Sequence, residues 1–289
     1  MTEQLEPSPS EFSDRLAAVE DFVALSDRLF LIGGLSWSAV ASNPRLLAIN
    51  AAFQRQLDAI KAATVLARSG LGHLAVSFVR AALEDVLYLK FLGDLENDKA
   101  RKLFLLLGKW DGLRSLLAQR AYVGDESMRG LWYTASFLAA AEVQRSEVRE
   151  ALRELQREYR WSGGVLPSAE WIADRTGHRR LYDYLHAATS RALHFSAGEV
   201  MRRGWGSPDG EVTTSESGFH EHLTNFALHQ LVLLFFETWK AVDDTEAAGI
   251  TLAEDVDAGE VEKMVQRIGK LGQVPLVHAA EWNLRPDAQ

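Results

Sequence analysis

The sequence predicts an all-α fold, a multi-helix bundle in a single domain with a peripheral helical hairpin. Of the seven prolines, only Pro44, Pro167 and Pro208 lie between residues 10 and 274, so long stretches lack the residue that breaks helix interiors. Within these stretches apolar residues recur at three- and four-residue steps, the spacing of one helix face. No stretch alternates apolar and polar residues as a half-buried strand does.

Capping residues and glycines set the helix boundaries. Asn43 followed by Pro44 is typical of a helix start, and Ser168 and Asp125 are further N-cap candidates. Gly177 is typical of a helix stop. With these signals, helices are predicted at 12–32, 44–68, 73–92, 97–110, 112–121, 125–159 with a candidate interruption near Gly130, 168–176, 179–200, 219–241 and 257–270.

The chain of 289 residues is long enough for one large domain or two small ones, and composition shifts divide it into three segments. We expect a disordered N-terminal tail over 1–10, the helical bundle over 11–241, and an acidic C-terminal helix and tail over 242–289. The first ten residues lack the basic start and apolar stretch of a signal peptide. The most apolar run, 228–236, is far shorter than the roughly 20 residues of a membrane span. We therefore expect a cytoplasmic protein that does not contact the membrane.

Composition and missing motifs exclude several classes of function. The chain has no cysteine, which rules out disulfides, thiolate metal sites and a cysteine nucleophile. A net charge of −9 disfavours nucleic-acid binding over the whole surface but leaves room for a local basic patch. The sequence contains no phosphate-binding P-loop, no dinucleotide-binding glycine motif, no H-E-x-x-H zinc motif and no G-x-S-x-G elbow. The Glu-x-x-His pairs of di-iron bundles are also missing. We therefore expect no cofactor and no metal.

Three apolar helices each carry a line of polar side chains. Steps of three and four residues place each line on one face of its helix. Because the helices are apolar on nearly every other side, they are expected to be buried, with these faces turned inward or into a cleft. The lines consist of His73, Ser77, Arg80 and Glu84, then Asp183, His186, Ser190 and His194, then His222, Asn225 and His229.

Two interpretations of these polar lines stay open. In the first, Arg80 and Glu84 form a buried pair that fixes helix register, and the histidines are hydrogen-bonded core residues. In the second, the lines converge on a functional cleft. In either case we expect Arg80 and Glu84 to be mostly buried and to meet polar groups of helix 179–200 or 219–241. A histidine metal site is a third candidate without supporting carboxylate spacing, and its members would be His186, His194, His222 and His229.

Residues 142–160 form a helix with a regular charge pattern. Its apolar seam is thin, and its charges fall at helical spacing, which allows intrahelical ion pairs worth a few tenths of a kcal/mol each. The helix is therefore either a solvated element or a surface that docks a protein partner or an RNA backbone. The charged residues are Arg145, Arg149, Arg153 and Arg157 beside Glu142, Glu150, Glu154 and Glu158.

Arg80-x3-Glu84 in an apolar helix, followed about a hundred residues later by Tyr184-x5-Ser190-x3-His194, resembles the signature of an uncharacterised bacterial all-helical family with a domain of unknown function. The resemblance covers residues 45–240. It implies an α-helical fold and no established activity.

A more distant resemblance is to HEPN proteins, small helical bundles marked by Arg-x4–6-His. Arg180 and His186 fit this spacing with five residues between them, whereas Arg191 and His194 have only two. HEPN proteins have a polar residue directly after this arginine, whereas this chain has Leu181 at that position. The resemblance implies a homodimer and, for many members, a metal-independent ribonuclease of a toxin or phage-defence system.

Two functions are therefore carried forward. The first is a non-catalytic helical binding module of a bacterium, within a defence or toxin–antitoxin system, that uses helix 142–160 or loop 203–218 for a protein or a small ligand. The alternative is a HEPN-like endoribonuclease with RNA as its partner, in which a histidine accepts the 2′ proton and an arginine stabilises charge on the phosphate. His194 is favoured over His186 as that base, with Arg191 and Arg180 as the arginines. Whether the chain is an enzyme stays open.

Overall fold

The computed structural model describes residues 9–193, 205–206, 212–213, 219–242 and 245–276. Its all-α, multi-helix architecture confirms the predicted fold class. Strands within the described residues form two-stranded pairs only. The helices are α1 (Pro9–Leu29), α2 (Trp37–Ser42), α3 (Arg45–Arg68), α4 (Val76–Gly93), α5 (Asn97–Gly130), α6 (Ala135–Tyr159), α7 (Ala169–Arg175), α8 (Arg179–Leu193), α9 (Phe219–Lys240) and α10 (Ala258–Lys270). The strands are β1 (Phe30–Ile32), β2 (Trp205–Gly206), β3 (Val212–Thr213) and β4 (Ile250–Leu252), and a 3₁₀ turn covers Gly72–Ala75.

Helix α9 lies at the centre of the bundle. It packs against α1, α3, α4 and the 3₁₀ turn, as expected for a helix that is apolar on nearly all sides. Phe235 is fully buried and meets Phe22, Phe30 and Phe53 edge-on, with ring centroids 5.4 to 5.6 Å apart. This is the arrangement that aromatic quadrupoles favour. The four rings tie α1, β1 and α3 to α9.

One buried polar pair fixes the position of α3 along α9. The side-chain amide nitrogen of Gln56 donates to Thr238 Oγ1 at 2.8 Å, and both residues are almost completely buried. Because a buried amide without a partner would be costly, sliding either helix would lose stability.

Of the predicted caps, Ser168 is confirmed, Asn43 lies one residue before the N-cap Pro44, and Asp125 lies inside α5, where its carboxylate accepts from Arg120. Asn43 Oδ1 accepts from the backbone N–H of Arg45 at 3.2 Å, and Ser168 Oγ accepts from that of Trp171 at 3.1 Å. Gly177 follows α7 with φ +74°, a conformation that glycine adopts without strain.

The structure corrects several predicted helix boundaries. The helix predicted from residue 73 begins at Val76, so His73 lies in the 3₁₀ turn and not on α4 with Ser77, Arg80 and Glu84. The segments predicted at 97–110 and 112–121 belong to one helix, α5, which runs to Gly130 with a kink at Gly124 (φ +80°). The helix predicted at 125–159 is interrupted after Gly130, near the glycine where a break was expected, and α6 begins at Ala135, where Thr134 supplies the cap by accepting from the N–H of Phe137. Helix α1 stops at Leu29 because β1 pairs with β4.

The C-terminal segment packs on the first helix. Strands β1 and β4 are antiparallel, and α10 lies against α1. Arg28 of α1 forms a two-pronged ion pair with Glu260 of α10, with both N···O distances at 2.9 Å. No helix in the described part of the chain is both long and apolar enough to cross a membrane.

Helices α5 and α6 form an antiparallel hairpin, which we call the arm (residues 97–160). Near its base, Leu103, Leu152 and Leu155 join the main core. Farther out, Met128 and Leu138 are buried but lie outside the main core. Beyond its base the arm is therefore held together chiefly by contacts between its own two helices.

We predict that Phe235→Ala lowers the free energy of unfolding by about 3–5 kcal/mol, because the substitution leaves a cavity among three aromatic rings. Urea denaturation would measure this loss. Leu31→Ala is the control: its side chain is 54% exposed, so a change within about 0.5 kcal/mol is expected. Equal losses in the two variants would contradict the central position of Phe235.

Candidate functional site

Helices α4 and α8 pack side by side and bring together part of the predicted polar lines. On α8, steps of four residues place Tyr182, His186 and Ser190 on one face. On α4, Arg80 and Glu84 are one helical turn apart. We call these five residues the α4–α8 site.

Arg80 is held in position from two sides. Its Nε donates to Glu84 Oε1 at 2.7 Å, and its guanidinium lies over the ring of Tyr182, 5.5 Å from the centroid. The side chain is 20% exposed. Its two terminal nitrogens donate to none of the residues that the structure describes. The geometry therefore fixes a planar cation and leaves its outer donors available for a ligand.

His186 lies beside this cation and is partly exposed. Its Nδ1 is 3.4 Å from the hydroxyl of Ser190, and its ring centroid is 5.0 Å from that of Tyr182. Burial lowers the pKa of His186 below its ordinary value, and the positive charge of Arg80 lowers this pKa further. The neutral imidazole is therefore the favoured form at pH 7, and a neutral imidazole can accept a proton.

The prediction that both residues of the Arg80–Glu84 pair are mostly buried and meet a neighbouring helix is confirmed for Arg80 and wrong for Glu84. Arg80 is mostly buried and meets Tyr182 of α8. Glu84 keeps 43% of its side-chain surface exposed, and its ion pair is with its own helix. Solvent therefore reaches the carboxylate of this pair.

The arginine whose charge lowers the pKa of His186 is Arg80, which lies on another helix. The sequence pairs His186 with Arg180, but Arg180 is exposed, and none of the described residues forms a hydrogen bond or ion pair with it. A separation of six residues turns two side chains of one helix toward different faces. Arg80 supplies the charge because α4 packs on α8.

Other predicted site residues lie elsewhere or outside the description. His194 and most of loop 203–218 fall outside the described residues, apart from the β2–β3 pair. Arg191 is half-buried at the end of α8. The hydroxyl of Ser77 donates to Leu74 O of the preceding 3₁₀ turn at 2.8 Å. Tyr184 donates to Val274 O at 3.4 Å, which joins α8 to the C-terminal segment.

A second group of polar residues surrounds the N-terminal half of α9, and we call it the α9 cluster. Arg15 of α1 contacts His229 Nδ1 through Nη1 at 2.9 Å, and its Nη2 donates to Gly272 O at 2.9 Å. The rings of His73 and His220 stack with centroids 3.8 Å apart. The members of the cluster are Arg15, His73, His220, His222, Asn225 and His229.

Sequence reasoning missed Arg15, His220 and Tyr182. Arg15 shares a helix face with Val19 and Phe22, so a charged residue on a core-facing stripe was the available signal. Tyr182 precedes His186 by one turn, and the same spacing rule that selected Ser190 could have selected it.

Different charged residues influence the histidines of the α4–α8 site and of the α9 cluster. The charges that act on His186 come from Arg80, Glu170, Asp183 and Glu84, whereas the charge that acts on His229 is Arg15. Among the described residues, no group of three His, Asp or Glu side chains could hold a metal ion. His194, a member of the predicted histidine metal site, lies outside the described residues.

The comparisons with known proteins give one match. A family profile described as a family of unknown function (DUF5677) matches residues 46–211. No curated protein and no solved structure matches the chain. The matched range contains the whole α4–α8 site and the arm, and it excludes α1 and α9. The resemblance to HEPN proteins stays a prediction.

We predict that the stability of the fold decreases as the pH falls from about 6.5 to about 4. Burial, together with the charge of Arg15, lowers the pKa of His229 to about 4, whereas an unfolded histidine protonates near pH 6.5. The unfolded chain therefore binds the proton first, and the contribution of His229, on the order of 2–3 kcal/mol, is lost over this range.

Urea denaturation at a series of pH values would measure this loss. His229→Gln is the matched variant, since its amide oxygen can still accept from Arg15 but does not titrate. Its stability should depend less on pH between 4 and 6.5. Parallel curves for wild type and variant would contradict the assignment to His229.

Proposed function

The chain belongs to the DUF5677 family, whose function is unknown, and we propose that it is a helical binding module that takes a phosphate-bearing ligand at the α4–α8 site. The observation that carries this proposal is the guanidinium of Arg80. It is anchored through Nε and the ring of Tyr182, while its terminal nitrogens have no partner among the described residues.

An anion is the ligand that this arrangement fits. The outer edge of a guanidinium matches two oxygens of a phosphate or carboxylate. Anchoring reduces the side-chain entropy that binding would otherwise cost. The hydroxyl of Ser190 and the ring of His186 lie on the adjoining face of α8 and add polar contacts. Glu84 orients Arg80 by accepting from Nε. Its negative charge repels an anion on that side, so the ligand would bind the terminal nitrogens at the outer edge of the guanidinium.

We predict that inorganic phosphate raises the pKa of His186, because a bound anion favours the protonated ring. A pH titration of the histidine ring protons by NMR, with and without phosphate, would measure the shift. Arg80→Met keeps much of the apolar stem but removes the charge, and it should abolish the phosphate effect.

Arg180→Met is the matched control, since Arg180 is exposed on the same helix as His186 and has no described partner. It should leave the effect unchanged. A phosphate effect that survives in Arg80→Met, or one lost equally in both variants, would contradict the α4–α8 site.

A metal-independent endoribonuclease is the second candidate, favoured by the lowered pKa of His186. In this reaction the neutral ring accepts the proton of a 2′-hydroxyl, and the 2′ oxygen attacks the adjacent phosphorus. The bond to the 5′ oxygen breaks, and that oxygen takes up a proton. The products are a 2′,3′-cyclic phosphate and a 5′-hydroxyl. Arg80 would stabilise the charge that develops on the phosphate. The homodimer belongs to this candidate as a prediction from the HEPN resemblance, whereas the defence role and the cytoplasmic location are predictions from the sequence for either function.

For this candidate we predict that His186→Ala lowers RNA cleavage by about 10²-fold or more with little change in the melting temperature. The assay incubates purified protein with mixed cellular RNA, with and without EDTA, beside His194→Ala. Cleavage should persist with the chelator. If wild type cleaves nothing, or if both variants cleave equally well, the ribonuclease candidate fails and the binding module stands alone.

A further inference from the structure

We propose that the arm is a binding surface for single-stranded RNA, separate from the α4–α8 site. Arginines of α6 would contact phosphates, and exposed aromatic rings at the tip of the arm would stack on bases. The proposal does not depend on cleavage or on the ligand of Arg80.

The first observation is the distribution of charge along the chain. The arm contains twelve Lys and Arg against nine Asp and Glu, a net charge of +3. The other residues contain nineteen basic and thirty-one acidic side chains, a net charge of −12. A polyanion would therefore be repelled by most of the molecule and attracted to the arm.

The second observation is that two glutamates of α6 pair with lysines of α5 and not with the arginines of their own helix. Glu154 and Glu158 of α6 reach across to Lys102 and Lys99 of α5, with N···O distances of 3.4 and 2.8 Å. The sequence alone allows these acids to neutralise the arginines of their own helix. The fold instead assigns them to the lysines of α5.

The arginine row on α6 consequently keeps positive charge at its surface. Arg149 and Arg157 are exposed, and no carboxylate of the described residues lies within ion-pair distance of either. Arg145 lies over the ring of Trp110 at 5.7 Å, and Arg153 pairs with Glu150. Steps of four residues repeat about every 6 Å along the helix, so the row forms a continuous cationic edge.

The third observation is an aromatic cluster at the tip, where α5 turns into α6. Trp132 is 72% exposed. Trp132 and Tyr133 have ring centroids 3.9 Å apart, and Phe137 extends this group. Trp132 also has φ +95°, a strained conformation for a bulky residue. Strain of this kind is concentrated at functional sites.

Cationic rows joined to exposed aromatic rings are the combination by which proteins hold single strands. Each base has a flat face that stacks on an aromatic ring whatever its sequence, and arginines hold the backbone. A protein partner would also use aromatic residues and arginine. Arg149 and Arg157 have no carboxylate partner among the described residues, and the rest of the chain is acidic. This combination favours a polyanion such as RNA over a protein partner.

The test is fluorescence anisotropy of the full-length protein with a labelled 2′-O-methyl oligouridylate, a probe that no 2′-hydroxyl attack can cleave. Arg149→Glu/Arg157→Glu should weaken binding at least tenfold and reduce the slope of log affinity against log salt by about 1.4. Lys263→Glu/Lys270→Glu on α10 changes the net charge equally and should alter affinity less than twofold.

Trp132→Gly examines the aromatic contribution, and it should weaken binding about 5- to 100-fold. Glycine accepts the positive φ without strain, so the loss would report on the ring. Arg80→Met should bind the probe normally, which separates this proposal from the function of the α4–α8 site. Absent binding by wild type at low salt, or equal weakening in the α10 control, would overturn the proposal and leave the arm to a protein partner.

Discussion

The structure depends on a central helix that has almost no face in water. Between His222 and Phe235 nearly every side chain of α9 is buried, so other elements must surround the helix. The surrounding elements are α1, α3, α4 and the 3₁₀ turn. Each of these elements has a solvent face, which is where chemistry or binding can occur. The position of α4 against α9 determines which side of α4 remains for α8, and thereby where Arg80 meets Tyr182.

Burial gives similar residues different properties in the two polar groups. His229 lies inside the bundle beside Arg15, and its pKa falls to about 4. Arg15, which contacts His229 through Nη1, also donates through Nη2 to Gly272 O and so ties the C-terminal segment to α1. His186 lies nearer the surface, where partial burial and the charge of Arg80 lower its pKa below the ordinary value. His229 therefore contacts a charged residue inside the fold, while His186 lies partly exposed beside Arg80.

The contacts that stabilise the arm differ from those that stabilise the bundle. Its base shares the main core, whereas its outer part depends on α5 and α6 alone. Interhelical pairs between lysines and glutamates hold its helices together and leave an arginine edge exposed. The strained Trp132 stands at its turn. Glu154 and Glu158 pair with lysines of α5, whereas Arg149 and Arg157 pair with no carboxylate of the described residues.

The sequence by itself determined the helical class, most helix boundaries and the polar lines, because helical periodicity, capping and proline act locally. It did not single out Thr134 as the cap of α6, although Thr134 accepts from the backbone N–H of Phe137 there. Nor could it pair His186 with Arg80 or His229 with Arg15, residues more than 100 positions apart. Only the tertiary structure decided those pairs, because a charge acts through space on whatever packing brings near, and spacing along one helix says nothing about the helix beside it.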